Sequence, residues 1–324
     1  MKLSELRNSV QDLSNLSVHG SNIPISDCIR EMARRSNNFY QDFAMGSRYV
    51  DTYQDITYPN STVQLHSHTF FELLYCRACT GVEYLVGSER YKLKKGDLVF
   101  VPPGVSHCPI FPEHMPEPYI RDVLWISEDF LSSMIDSFSD WDARNEITLL
   151  RTAGSHWEYI GGLFRKGVEE TENRQIGWEM AVIANTLLIL THLQRAHADA
   201  HNTPLRAEKP ELLDQVMAYV EQHLSEKITL AEVARHFFIS ESTITQTFRR
   251  RMGQSFYRCV TQRRLIAAKV LIENGNSLES VAEKVGFSDY SSFFRAFKQE
   301  YGISPRQYRK MQTPPVSRNE TIIR

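Results

Sequence analysis

Three histidines and a glutamate are the residues of this sequence best suited to bind a ligand or a metal. They are His66, His68, Glu72 and His107. Side chains two positions apart share one face of a β-strand, so a regular strand over residues 66–75 would bring the first three together. Imidazole and carboxylate groups are ligands for Zn, Mn, Fe or Ni. Two interpretations stay open: a divalent metal site, and a metal-free pocket whose groups hydrogen-bond a polar effector or one another.

Two other pairs of residues have the spacing of metal or redox sites. Cys76 and Cys79 form a C-x-x-C pattern, but a single such pattern among strands and turns is more typical of ordinary thiols. The chain has five cysteines, an odd and irregularly spaced set that favours reduced thiols in a cytoplasm. His197 and His201 are four residues apart, but they fall in a polar, proline-bearing segment over residues 196–210.

The histidines lie in a region that reads as short strands. Alternating residues begin near position 63, and two further strands are predicted at 82–86 and 90–93 around a Gly-Ser turn. Residues 96–107 read as a turn, a buried strand, a Pro-Gly turn and a histidine, and residues 123–126 form one more apolar strand. Many short strands separated by turn signals predict an antiparallel barrel or sandwich.

Helices are predicted after about residue 128, first at 158–170 and then at 177–198. The second helix has a broad apolar stripe made of Met180, Ile183, Ala184, Leu187, Leu188 and Leu190. This stripe could be buried within its own domain. We favour a subunit interface formed by helix pairing, because one small barrel would not cover so much apolar surface.

The C-terminal part is helical and contains an internal repeat. Leu230 begins a pattern that recurs at Leu278, 48 positions later, and Phe248 recurs at Phe297, 49 positions later. We expect the one-residue difference to fall in the second helix of each unit. The repeat predicts two tandem helix-turn-helix units, joined by a single helix over residues 255–273.

The second unit, residues 277–298, is the clearer of the two. Gly286 follows the first short helix, where a left-handed residue can end it. Ser288 is then predicted to cap the second helix. Phe293 and Phe297 are four residues apart and should face the core.

The remaining face of each second helix is suited to a DNA groove. A helix of this kind enters the major groove and contacts base edges with its exposed side chains. Gln246 could pair with adenine and Arg295 with guanine. The residues expected at phosphates are Lys298, Arg249, Arg250 and Arg251, although Arg250 and Arg251 could equally belong to a solvated face. A rigid joining helix would place the two recognition helices about 34 Å apart, one turn of DNA. The predicted DNA-binding residues are Ser242, Thr245, Gln246, Arg249, Arg250, Tyr290, Ser291, Phe294, Arg295 and Lys298.

Charge and hydropathy agree with DNA binding at one end of the chain. Residues 211–312 carry 15 Lys and Arg against 11 Asp and Glu, whereas residues 1–210 carry 20 against 27. The N-terminus has no signal-peptide pattern, and no apolar run is long enough to span a bilayer. We therefore expect a cytoplasmic protein with no membrane partner.

The C-terminal hundred residues resemble the DNA-binding domain of the AraC/XylS family of bacterial transcription regulators. The closest stretches are residues 263–271, 281–298 and 302–309. The strand region resembles the cupin-type sensor domain common in that family. The pattern from His66 to Glu72 matches the first cupin motif, and residues 96–107 match the second.

The resemblance implies an α+β multidomain fold with an N-terminal antiparallel β-barrel (cupin-like), a helical dimerisation element and a C-terminal all-α domain with two tandem helix-turn-helix motifs. The predicted domains are a sensing domain with an N-terminal extension (1–155), a helical dimerisation element (156–200), a linker (201–212), an AraC-type DNA-binding domain (213–312) and a flexible tail (313–324).

The resemblance further implies a non-enzymatic regulator, acting as an activator, with an effector bound by His66, His68, Glu72 and His107. The expected partners are double-stranded DNA, a small-molecule effector such as a carbohydrate, a second copy in a homodimer, and RNA polymerase. No cofactor is required, although the same four residues could bind a divalent metal. The alternatives are a metal-dependent cupin enzyme fused to a DNA-binding domain, and a barrel that binds a protein partner. Phe111 weighs against the enzyme because it stands where an enzyme-type cupin usually has asparagine.

Overall fold

The computed structural model describes residues 45–59, 63–134, 149–198 and 210–312. The predicted N-terminal extension, most of the predicted linker, and the tail after residue 312 lie outside these residues. His201, which is four residues from His197, also lies outside them. The domain boundaries stay predictions.

The chain divides into two compact units. One contains residues 43–223 and 228–262, and the other contains residues 224–227 together with the chain from residue 263 onward. Each is described by itself below.

The described part of the larger unit contains two antiparallel sheets. The strands are β1 (Val50–Thr57), β2 (Phe71–Ala78), β3 (Glu83–Val86), β4 (Glu89–Lys92), β5 (Asp97–Val101), β6 (His107–Ile110), β7 (Tyr119–Ile126) and β8 (Leu149–Arg151). One sheet has the order β1-β7-β2-β5-β8, and the other has the order β4-β3-β6. The four strands predicted after residue 80 are therefore confirmed as β3, β4, β5 and β7. Strand β6, which begins at His107, was not predicted.

The central strand β2 is buried on both faces, which its apolar sequence explains. Leu74 and Cys76 contribute to a core that also contains Tyr84 and Tyr91 of the smaller sheet. Alternate residues of β2 face the other way and enter a second core, which the helices cover.

The helices of this second core are α1 (Glu128–Met134), α2 (Ile160–Asn173) and α3 (Trp178–Ala198). Phe164 of α2 stacks on Tyr75 of β2 with ring centroids 5.5 Å apart. The helices predicted at 158–170 and 177–198 are thus present.

Helix α3 has two apolar faces. Val182, Ile189 and Leu193 are buried in the core that covers the larger sheet. Met180 and Leu188, which the sequence placed in the apolar stripe, are 69% and 47% exposed. Burial within the domain therefore accounts for only part of the apolar surface of this helix.

The described helices of the DNA-binding part are α4 (Leu212–Gln222), α5 (Leu230–His236), α6 (Glu241–Met252), α7 (Phe256–Glu273), α8 (Leu278–Lys284), α9 (Tyr290–Tyr301) and α10 (Pro305–Gln312). The joining helix predicted at 255–273 is confirmed as α7. Within the described residues, no helix is long and apolar enough to cross a membrane.

The predicted strands differ from the structure in three further places. Residues 66–70 do not form a regular strand, because His66 makes an isolated bridge to His107 and β2 begins only at Phe71. Strand β1 was not predicted, since charged and amide residues interrupt its alternation. Strand β8 was not predicted either, because it has only three residues.

Candidate functional site

The two helix-turn-helix units have matching turns. Phe238 and Gly286, 48 positions apart, both have positive φ, at 56° and 80°. The second helices α6 and α9 begin 49 positions apart, and each has 12 residues. The one-residue difference between the repeats therefore lies in the turn, after the left-handed residue. The prediction that it falls in the second helix was wrong.

Each second helix begins at a side-chain cap. The Ser240 hydroxyl accepts a hydrogen bond from the Thr243 amide at 3.1 Å, and the Asp289 carboxylate accepts one from the Ser292 amide at 2.7 Å. The hydrogen bonds from Ser292 lower the pKa of Asp289 below its usual value. Ser288, predicted as the cap, instead donates its hydroxyl to Asp289, because the turn has one residue more than expected.

Gly286 is required by its surroundings as well as by its φ. A Cβ at this position would collide with the carbonyl oxygen of Leu224 and would lie 2.9 Å from the Arg264 guanidinium. Arg264 itself donates to the Leu224 carbonyl at 3.1 Å. Phe238 has no such constraint, because 95% of its surface is exposed.

The second recognition helix presents part of the predicted face. Phe293 and Phe297 are fully buried, as predicted. Ser291, Arg295 and Lys298 are exposed, and the remaining two predicted contacts, Tyr290 and Phe294, are half-buried. The exposed side chains are polar or basic, which suits a nucleic-acid surface.

The first recognition helix presents Ser242, Gln246, Arg249 and Arg250 as exposed side chains. Thr245 is half-buried, and its hydroxyl donates to the Glu241 carbonyl at 2.9 Å. Arg250 forms an exposed ion pair with Glu113 of the barrel, 2.5 Å between Nε and Oε1. The roles of these residues at DNA stay predictions.

The barrel histidines and glutamate come together despite the irregular segment before β2. His66 and His107 exchange two backbone hydrogen bonds of 3.1 and 2.9 Å. Nε2 of His107 and Nε2 of His68 lie 3.1 and 3.5 Å from Oε2 of Glu72. One ligand atom each from His66, Glu72 and His107 forms a group within 4.8 Å. The sequence analysis did not identify Trp125, which lies opposite Glu72 on the neighbouring strand β7 and donates its Nε1 hydrogen to Glu72 at 2.7 Å.

The hydrogen bonds of the three imidazoles fix their tautomers. In each ring Nδ1 lies against a backbone carbonyl, which can only accept, so Nδ1 carries the hydrogen. The pairs are His66 with Gln64 at 2.8 Å, His68 with Phe70 at 2.7 Å and His107 with Val105 at 2.9 Å. In a neutral ring Nε2 then has a lone pair, and in His68 and His107 this lone pair faces the Glu72 carboxylate.

This arrangement places acceptors against acceptors in a buried site. Burial lowers the pKa of His66 and His68, which keeps those rings neutral. Burial alone would raise the pKa of Glu72, and its pKa falls well below the usual value only through hydrogen bonds and positive charge at His107 and His68. When the rings are neutral, a bound cation would take that role. Oε2 of Glu72 and Nε2 of His68 and His107 lack well-aligned hydrogen-bond partners. Lone pairs around a carboxylate suit a cation, and Nδ1–carbonyl bonds are the usual outer support of metal-binding histidines. The residues present thus fit a divalent metal.

The C-x-x-C pair has the character of ordinary core thiols. Cys76 and Cys79 are buried thiols outside any disulfide, and Cys108 and Cys259 are likewise buried. The adjacent Cys79 thiol and burial raise the pKa of Cys76 well above its usual value. A thiol that stays protonated is a poor metal ligand and a poor nucleophile.

Comparisons with known proteins find similarity in two segments of the chain. Residues 233–311 match a family model described as a helix-turn-helix domain, and residues 56–116 match one described as a cupin domain. The HTH-type transcriptional activator RhaS of Salmonella dublin is 26% identical over 265 residues, which cover 78% of this chain and 89% of RhaS. The probable transcriptional regulator LumQ of Photobacterium leiognathi is 40% identical over 104 residues, 31% of this chain and 42% of LumQ. The crystal structure of ToxT from Vibrio cholerae O395 is 13% identical, with 82% of this chain and 99% of ToxT covered, and its TM-score of 0.35 is too low to support an argument.

Proposed function

We propose that this chain is a transcription regulator of the AraC/XylS type and that a small effector bound in its cupin domain controls its binding to DNA. The observation that carries the DNA-binding half is the pair of matched helix-turn-helix units. Each has a left-handed residue in its turn, a capped second helix of equal length and exposed polar side chains on that helix.

In this proposal the exposed residues of α6 and α9 contact successive major grooves. Gln246 and Arg295 read bases, because an amide and a guanidinium can each form paired hydrogen bonds with a base edge. Arg249, Arg250 and Lys298 neutralise phosphates and set the position of the helices. The half-buried Tyr290 and Phe294 would reach a base only with their exposed edges.

The barrel site is proposed to hold a divalent cation through His66, Glu72 and His107, with His68 beside them. The support is the set of Nε2 lone pairs, the Glu72 carboxylate beside them and the close grouping of one ligand atom from each of His66, Glu72 and His107. A bound cation would supply a positive centre for an oxygen atom of the effector. A carbohydrate is our leading candidate, because its hydroxyl groups can bind both a cation and the surrounding polar groups.

The alternative function, a metal-dependent cupin enzyme, draws on the same ligands. We favour a non-enzymatic sensor for two reasons. Phe111, at the position usually occupied by asparagine in enzymes, packs edge-on against Tyr119 with centroids 6.2 Å apart. RhaS and LumQ are both named as regulators of transcription.

We also propose that α3 pairs with the same helix of a second copy. Met180, Ala184 and Leu188 are four residues apart and exposed, so they form one apolar face outside the core. An activator of this kind would act in the cytoplasm and contact RNA polymerase once bound to DNA.

Two experiments test this proposal. Selection from a random-sequence DNA pool with the full chain should enrich a defined motif, and enrichment of none would refute the DNA-binding half. Thermal melts of the full chain against a panel of sugars should identify a ligand that raises the melting temperature. A panel without any such shift, combined with metal-dependent turnover of a substrate, would favour the enzyme.

A further inference from the structure

An arginine of the barrel is buried against the start of the DNA-binding part. Arg90 of β4 has only 1% of its side chain exposed. Its Nε donates to both carboxylate oxygens of Asp214 at 3.2 and 3.1 Å, and its Nη2 lies 3.1 Å from Glu211. Glu211 caps α4 and Asp214 lies in its first turn. A buried guanidinium needs carboxylate partners, so this contact joins the barrel to α4.

The first recognition helix takes part in the same contact. Arg251, in the last turn of α6, donates to Glu83 of the barrel strand β3, and its Nη1 lies 3.4 Å from Glu211. Glu83 also lies 3.0 Å from Nη1 of Arg90. We call Glu83, Arg90, Glu211, Asp214 and Arg251 the ion cluster.

The ion cluster competes with DNA for Arg251. An arginine that neutralises a phosphate must first leave its carboxylate partners. The cluster has three carboxylates and two guanidiniums, so its formal charge of −1 would repel a phosphate close to it.

Strand β3 links the cluster to the candidate effector site. In its pairing with β6, Val86 lies opposite His107, and Glu83 is the first residue of the same four-residue strand. A ligand that displaces His107 would therefore also displace strand β3, including Glu83.

A second link runs through the segment before His66. The buried side chain of Gln262 in α7 donates to the Gln64 side chain at 3.1 Å. The Gln64 carbonyl in turn accepts the hydrogen bond from Nδ1 of His66 at 2.8 Å. Two histidines of the candidate site are thus connected to helices of the DNA-binding part, His66 through Gln64 and His107 through strand β3.

We propose that the ion cluster is an autoinhibitory contact, which holds the first recognition helix on the barrel until a ligand at His66 and His107 releases Arg251 for a DNA phosphate. This inference rests on the proposed function and adds to it the residues through which effector and DNA are coupled. The coupling is reciprocal, so DNA would also favour the ligand-bound state.

The test uses the full chain without effector and a duplex that the wild type has selected from a random pool. Glu83→Gln should lower the dissociation constant measured by fluorescence anisotropy by about 5- to 20-fold, within the usual range of such couplings. The slope of the logarithm of the binding constant against the logarithm of the salt concentration should become steeper by about one, because one phosphate contact is added. Glu117→Gln is the matched control: it removes the same charge from an exposed barrel residue that is hydrogen-bonded to Thr80 of the barrel, and it should change affinity less than about twofold.

A second variant keeps the inference testable if Glu83→Gln does not fold. Glu211→Gln removes a carboxylate that is 51% exposed and contacts both arginines, and it should change affinity in the same direction. If thermal melting shows that Glu83→Gln is unfolded, Glu211→Gln decides. Folded variants that bind no more tightly than Glu117→Gln would overturn the inference. Failure of the wild type and all variants to retain any duplex would instead overturn the proposed function, and the inference with it.

Discussion

Phe238 and Gly286 occupy equivalent positions in the two turns, and both have a left-handed backbone, with φ of 56° and 80°. The phenylalanine is almost fully exposed, whereas the glycine lies against the Leu224 carbonyl and Arg264. The same backbone geometry therefore imposes a different requirement on each residue.

Phe238→Gly should stabilise the protein. A residue other than glycine in the left-handed region costs about 1–2 kcal/mol, while glycine adds about 0.4–1 kcal/mol of unfolded-state entropy. Little packing is lost because the ring is exposed. We expect a net gain of about 0.5–1 kcal/mol in the free energy of unfolding, measured by denaturant titration. A loss of stability would mean that the ring makes contacts absent from this account.

Gly286→Ala should have the opposite effect. The added Cβ meets strain from the positive φ and a collision with the Leu224 carbonyl, for a combined cost of about 2–4 kcal/mol. Phe238→Ala is the matched control, because it keeps a Cβ at an open left-handed position and should change stability by less than about 1 kcal/mol. Equal effects of the two variants would contradict the role assigned to Gly286.

Arg295 and Lys298 should differ in what their loss does to DNA binding. Arg295→Ala should cost about 1–3 kcal/mol of binding free energy and relax the preference at one base pair. Lys298→Ala should weaken binding to all duplexes alike and should reduce the slope of the logarithm of affinity against the logarithm of salt concentration by about one. Binding-site selection with each variant measures this difference. If Arg295→Ala keeps the base preference of the wild type, Arg295 does not recognise a base.

The barrel should bind about one divalent metal ion per chain through its histidines. His107→Ala should abolish this binding, as measured by elemental analysis after dialysis against Zn²⁺ or Mn²⁺. The exposed His114 is the control, and His114→Ala should retain the metal. Metal-free wild-type protein, whose melting temperature does not respond to a chelator, would favour a pocket that binds its effector through hydrogen bonds alone.

The sequence predicted those elements whose burial leaves a local pattern. Strands β3, β4, β5 and β7 and the long helices have alternation or helical spacing, and the spacing of Phe293 and Phe297 predicted the core of the second helix-turn-helix unit. The length of the second turn could not be predicted from the repeat. The spacing of Phe248 and Phe297 shows that the second unit has one more residue, but not whether that residue lies in the turn or in the helix. The ion cluster was invisible for another reason: Arg90 and Asp214 are 124 positions apart, and neither residue type signals a partner so distant.

The central claim is that one chain reads DNA with two helix-turn-helix units, and selection of bound duplexes from a random pool tests it most directly. We predict two enriched blocks with centres about 10–10.5 base pairs apart. Substitutions in α6 should change one block, and substitutions in α9 should change the other. A selection that enriches no sequence, or a single block that is insensitive to both helices, would contradict the account.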